Sequence, residues 1–83
     1  MKITFVEDAW AECLGWQRRD GTKKINDLLE DVCRHPFQGL GKPEPLRGDK
    51  SGKWSRRING EDRLVYRVQQ DTVIVFQCKG HYE

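Results

Sequence analysis

Residues 54–78 read WSRRINGEDRLVYRVQQDTVIVFQC, and three alternating runs in this stretch decide the fold. Trp54, Arg56 and Ile58 share one face of a first strand, because successive side chains on a strand point to opposite sides. Leu64, Tyr66 and Val68 alternate with Arg63, Val65 and Arg67 in a second run. The third, from Val73 to Cys78, is apolar on both faces up to Phe76, the pattern of a central strand covered by helices. Asn59-Gly60 between the first two runs is a strong hairpin signal, and Glu61 and Asp62 allow a longer turn. Gln70-Asp71-Thr72 turns the chain into the third.

Upstream the periodicity changes from two to 3.6. Ile25, Leu28, Leu29, Val32 and Cys33 form an apolar stripe along one helix face. Pro36 ends that helix, since the residue before a proline is pushed out of the helical region. Asp8 offers an N-cap for an earlier helix over about 8–19, with Trp10, Cys13 and Leu14 at i, i+3 and i+4. Asp20-Gly21-Thr22 breaks the two apart, and the short connection makes them an antiparallel hairpin. Ile3 and Phe5 alternate with polar residues as a short first strand does. Residues 37–53, rich in glycine and holding Pro43 and Pro45, read as a long structured loop. The layout is β-α-α-β-β-β: an α+β fold in which a helical hairpin packs on a small, mostly antiparallel sheet.

The chain has 83 residues, 36% hydrophobic and 34% charged, which allows one domain, spanning 1–83, with one modest core. No window approaches the roughly 20 apolar residues of a membrane span, and no signal-peptide pattern opens the chain, so a cytoplasmic protein is expected. Cys13, Cys33 and Cys78 are an odd, scattered set, unlike a disulfide framework, and with His35 and His81 they lack zinc-ligand spacing. No metal and no cofactor is expected. The formal charge is only +2. It is unevenly spread: residues 47–67 carry seven basic side chains (Arg47, Lys50, Lys53, Arg56, Arg57, Arg63, Arg67) against three acidic ones. Charge alone fits a polyanion-binding surface and a solvated face equally.

Three features carry chemistry. Glu44 lies between Pro43 and Pro45, which fix φ on both sides and restrain its direction, although a lone loop carboxylate is more often solvated surface. Arg56 and Arg57 must point to opposite faces, so at most one joins a given site. His81 follows an apolar, central strand. A carboxylate, a histidine and arginines suit cleavage of RNA by its own 2′-hydroxyl. A base removes the hydroxyl proton, an acid protonates the departing 5′-oxygen, and a cation offsets the phosphoryl charge. Histidine titrates near neutral pH, and the guanidinium fork matches phosphate.

Gly41-Lys-Pro-Glu-Pro-Leu46, Ser51-Gly52, Trp54-Ser-Arg-Arg-Ile58, Arg63-Leu-Val-Tyr66 and His81-Tyr82, in that order and spacing, resemble the YoeB (Txe) toxins of the RelE/ParE toxin–antitoxin superfamily. The resemblance runs the length of the chain. It implies a microbial-RNase-like fold and a metal-independent, ribosome-dependent endoribonuclease that cuts mRNA in the A site of the 70S ribosome. It also implies a YefM-like antitoxin covering the basic site, with operator DNA bound only through the complex. On this resemblance Glu44 is the general base, His81 the general acid and Arg63 the stabiliser of phosphoryl charge. Arg57 and Tyr82 support the phosphate and bases, and Arg47 is a basic position facing the RNA, where lysine is common in relatives. Glu83 extends the chain past the His-Tyr pair that ends many relatives and is expected to modulate His81. Gly80, where relatives carry a larger residue, implies a more mobile tail. A non-catalytic RNA- or antitoxin-binding module and a gyrase-directed ParE-like toxin are the alternatives, and neither needs the acid–base pair.

Overall fold

A computed structural model describes residues 1–18 and 22–80. Its elements run β1 (Lys2–Phe5), α1 (Glu7–Gln17), α2 (Thr22–Arg34), β2 (Glu44–Pro45), β3 (Trp54–Arg57), β4 (Arg63–Gln69) and β5 (Thr72–Gln77), with a short 3₁₀ turn at Gly48–Lys50. The strands form one sheet in the order β1-β5-β4-β3-β2. β1 is parallel to β5 and every other pair is antiparallel. The expected α+β layout is present, with β2 added: two residues of the long loop pair with β3, Glu44 opposite Ser55 and Pro45 opposite Trp54.

Both helices lie against one face of the sheet. Ala9, Cys13 and Trp16 of α1 and Ile25, Leu28 and Val32 of α2 pack on Ile58, Leu64, Tyr66, Val73, Val75 and Cys78. The α2 stripe is as its spacing predicts. The α1 stripe is not: Trp10 is 51% exposed, its ring tilted against Phe5, while Ala9 and Trp16 turn inward. The helix starts directly off β1, with Val6 at the N-cap position and Asp8 inside the first turn. The Val6 N–H still continues the strand ladder to the Val75 carbonyl. That entry point rotates the helix so that small Ala9 meets the sheet. β5 is central in the sheet, but helices cover only one of its faces, so Ile74 and Phe76 on the other are half-buried.

The β3–β4 hairpin takes the longer turn. Ile58 N–H donates to the Asp62 carbonyl, and the Asn59 side-chain oxygen accepts from the N–H groups of Glu61 and Asp62. An Asx-type cap of this kind replaces the two-residue turn that Asn59-Gly60 alone suggests.

Arg56 is completely buried on the helix-facing side of β3. A guanidinium has five N–H donors, and each finds an acceptor. Nε donates to the Tyr66 hydroxyl at 3.1 Å, and Nη1 to Asp31 at 2.5 Å and the Leu40 carbonyl at 3.1 Å. Nη2 donates to the carbonyls of His35 and Gln38. The Tyr66 hydroxyl passes its own proton to the Pro36 carbonyl at 2.6 Å. Burial pushes that phenol's pKa up, which keeps it a donor. Residues 35–40 have no regular secondary structure, so their carbonyls need such partners. Asp31 also accepts from the Leu40 N–H, and that bond, followed by the Arg56 guanidinium, holds its carboxyl below the usual carboxylate range. One side chain therefore fixes the exit of α2 and the start of the loop to the sheet.

Replacing Arg56 with methionine leaves Asp31 and three loop carbonyls without their donor, and is expected to destabilise the fold by about 3–5 kcal/mol in urea unfolding. A loss below about 1 kcal/mol would contradict this role. Because Asp31 has a lowered folded pKa, its contribution is present above the ordinary carboxylate range and is lost as pH falls through it. Asp31→Asn should therefore destabilise at about pH 7 and converge on wild type toward about pH 2, read from paired unfolding curves.

Candidate functional site

The face away from the helices carries the candidate residues, and strand register sets them in rows. Glu44, Ser55, Val65 and Gln77 lie opposite one another across β2, β3, β4 and β5. Two residues along, Arg57 of β3 lies directly opposite Arg63 of β4. The Arg57 N–H points outward to the Gly41 carbonyl at 2.7 Å, and the Arg63 N–H points away to the Gly80 carbonyl at 3.0 Å. The two arginines therefore form a non-hydrogen-bonded pair, whose Cα atoms approach to about 4.5 Å. Like charges in that position repel and cost stability. Glu44 is about 12 Å from Arg63 between Cα atoms on strand spacings, close enough for long side chains to address one small group.

Local structure explains how these residues are held. Gly41 has φ +78°, and a Cβ there would lie 2.7 Å from the Arg57 carbonyl oxygen, so only glycine lets the loop run against β3. Past it, Glu44 and Pro45 bridge to β3, and the Leu46 N–H donates to the Lys53 carbonyl. Glu44 is thus positioned by a strand pairing as well as by its flanking prolines. Arg63 Nη1 donates to the carbonyls of Asn59 and Asp62. Both acceptors belong to the hairpin turn, so the turn directs the guanidinium.

The end of β5 is fixed from two sides. From α1, the Trp16 indole N–H donates to the Cys78 carbonyl, and Glu12 accepts from the Cys78 N–H, each at 2.7 Å. From β4 and its turn, Asp62 accepts from the Gly80 N–H at 2.8 Å, while the Gly80 carbonyl accepts from the Arg63 N–H and from Gln77 Nε2. Gly80 adopts φ +77°, the left-handed region that glycine tolerates. Gly80 itself is bonded through both its backbone groups, while the tail whose mobility was expected lies outside the described residues.

The structure brings together Glu44, Arg57 and Arg63. Arg47 stands exposed at the head of the 48–50 turn, off these strand rows. The calls on His81, Tyr82 and Glu83 lie outside the described residues. Among the described residues no three His, Cys, Asp or Glu side chains gather as a metal-ligand set, and no helix is long and apolar enough to cross a membrane. The same face carries Lys53 and Arg67 from the basic cluster of residues 47–67, and Ser55, Phe76 and Gln77, which sequence reading did not place there. Parity from Arg63 was enough to find Arg67. Gln77 was hidden by a bulge, which pairs Val65 with Gln77 and Tyr66 with Val75 and leaves Phe76 as the extra residue.

The fold and this surface define a small α+β domain with a cation-rich sheet face away from its helices, buried at Ser55 and Val65. Residues 5–82 match the family model described as YoeB-like toxin of bacterial type II toxin-antitoxin systems. The chain is 48% identical over 84 residues to Toxin YoeB of Streptomyces coelicolor, covering 99% of this chain and 100% of that protein. The YoeB/ParE toxin structure from Agrobacterium tumefaciens superposes with a TM-score of 0.92 at 48% identity, over 99% of this chain and 100% of that one. The heterotetrameric YoeB-YefM toxin-antitoxin complex from Staphylococcus aureus includes a chain that matches with a TM-score of 0.88 at 41% identity, over 99% of this chain and 98% of that one. The chain belongs to the YoeB-like toxins of bacterial type II toxin–antitoxin systems.

Burial, reinforced by Cys13 and Glu12, pushes the Cys78 thiol up to about 12. Only the thiolate is nucleophilic. At about pH 8 a maleimide should therefore label half-buried Cys33 in the native protein and reach Cys78 only after unfolding, as read by peptide mass. Native labelling of Cys78 at a rate equal to Cys33 would show that the end of β5 opens independently.

Proposed function

We propose that this toxin is a cytoplasmic, ribosome-dependent endoribonuclease that cuts mRNA in the A site of the 70S ribosome. The observation that carries the reading is the Arg57–Arg63 pair, two like charges set opposite each other on the face that Glu44 shares. Such a pair costs the free protein stability and gains from an anion that bridges it. A phosphodiester is such an anion, and family membership favours it over a generic polyanion.

In the proposed mechanism Glu44 takes the proton from the 2′-hydroxyl of the nucleotide on the 5′ side of the bond. The 2′-oxygen attacks phosphorus, giving a 2′,3′-cyclic phosphate as the P–O5′ bond breaks. His81, bonded in sequence to the anchored Gly80, protonates the departing 5′-oxygen. Arg63 donates to the phosphoryl oxygens as their charge grows, and the turn carbonyls that hold its Nη1 spare it reorganisation. Arg57 shares that charge. Tyr82 contacts a base, and Arg47 supplies long-range attraction to the RNA. The candidate residues are carried on a sheet face, which suits a substrate whose position is set by the ribosome.

The partner in this reading is a YefM-like antitoxin, with operator DNA contacted only through the complex. Its support is the Staphylococcus aureus YoeB-YefM complex together with a hollow of about 780 Å³ between α2 and the β3–β4 hairpin. Leu28, Leu40 and Ile58 line that hollow beside Lys24, Lys42, Arg57 and the Lys23–Asp27 ion pair. An acidic segment bearing apolar side chains fits it and withdraws Arg57 from RNA.

Primer extension on mRNA translated by purified ribosomes tests the reading. Arg63→Ala is expected to slow A-site cutting by about 10²–10³ and His81→Ala by about 10²–10⁴. Glu44→Ala is expected to lose less than Arg63→Ala, because water or ribosomal RNA takes over part of a base's task. Absence of cuts by wild-type protein, or His81→Ala cutting as fast as wild type, would overturn the assignment.

A further inference from the structure

One cluster on the open face takes no part in that mechanism. The bulge in β5 leaves Phe76 unpaired, and its ring lies outside the helix-facing core. Lys53 Nζ sits over the ring at 4.2 Å from its centroid, and the Arg67 guanidinium carbon at 6.0 Å. Among the described residues neither cation is ion-paired. Gly52, at φ +93°, brings loop backbone against the guanidinium: a Cβ there would lie 3.7 Å from Arg67 Nη2. Arg67 is on the same face of β4 as Arg63, four residues away, or about 13 Å along the strand.

We propose that Phe76, Arg67 and Lys53 form a stacking subsite for an unpaired base of single-stranded RNA, a short stretch of chain away from the bond that is cut. The proposal rests on the endoribonuclease reading and adds a base contact to it. Its argument is the chemistry of the cluster. An aromatic ring flanked by an ammonium and a guanidinium offers a π-face and positive charge together, on which any base stacks. Lys53, whose Nζ lies over the ring in the free protein, swings off it as the base enters and neutralises the phosphate attached to that base. An acidic peptide would use the two cations but gains little from the flat ring and guanidinium. The row continues the charge of Arg57 and Arg63, so one strand of RNA meets both groups.

The test is equilibrium binding of labelled protein to ribosomes programmed with mRNA whose A-site nucleotides are 2′-deoxy and so resist this cleavage. Each nucleotide in and beside the A-site codon is replaced in turn by an abasic one. Wild type should lose about tenfold in affinity at one position, the scale of one stacked base. Phe76→Leu and Arg67→Gln should show that loss on intact mRNA and no further loss at the same abasic position. On cleavable mRNA both variants should raise the half-saturating concentration about tenfold and leave the saturated rate within about twofold, whereas Arg63→Ala lowers the rate itself. Equal binding by wild type and both variants overturns the proposal. So does weaker binding that follows lost thermal stability, or that is the same at every abasic position. A variant that loses affinity only for the antitoxin assigns the cluster to the protein partner and also overturns it. Base-dependent binding by a wild-type protein that makes no cuts would retain the subsite and remove the nuclease reading. Cutting without base dependence would do the reverse.

Discussion

A single buried guanidinium sets the geometry on which the rest of this small protein depends. Removing a charge from water costs several kcal/mol unless the interior replaces its hydration. Arg56 meets that condition with five acceptors drawn from α2, the following loop and β4. The arrangement also works in the opposite direction. The carbonyls of residues 35, 38 and 40 belong to a segment with no ladder of its own, and Arg56 gives them the donors that a strand or helix otherwise supplies. Phe37 adds a ring contact to Trp54 at 4.9 Å between centroids. From that fixed origin the chain reaches Gly41, then Glu44, so the position of a surface carboxylate traces back to an interior charge.

Much of the fold was legible because burial writes itself into periodicity. The α2 stripe and the alternation of Leu64, Tyr66 and Val68 each admit one geometry. The α1 stripe was misread because Trp10 is large and apolar, while the residue that meets the sheet is Ala9, whose small size is what the close approach requires. β2 left no signal at all: Glu44 and Pro45 pair with β3 through the backbone, and such pairing does not depend on side-chain pattern.

The site was legible in its residue types more than in its arrangement. The neighbours Arg56 and Arg57 had to diverge, and the structure gives one to the core and one to the open face. Which face Arg63 shares depends on turn length. A two-residue turn at Asn59-Gly60 would set Arg57 opposite Asp62 and put Arg63 on the side of Arg56. The Asx cap at Asn59 adds one residue, and that single step places Arg63 opposite Arg57. The bulge at Phe76 acts in the same way on Gln77. Register errors of one residue decide the site, and composition contains no information about them.

The parallel pairing of β1 with β5 has a consequence in time. Lys2 and Ile3 find their ladder partners at Thr72 and Val73, near the other end of the chain. A growing polypeptide that has emerged through β4 still lacks the strand that lies between its first element and the remainder of the sheet. Contacts separated by so much sequence form slowly and late. The anchors at Cys78 and Gly80 come later again. A nascent copy therefore cannot complete its sheet, or set the Arg57–Arg63 pair in a finished face, until its last strand has emerged.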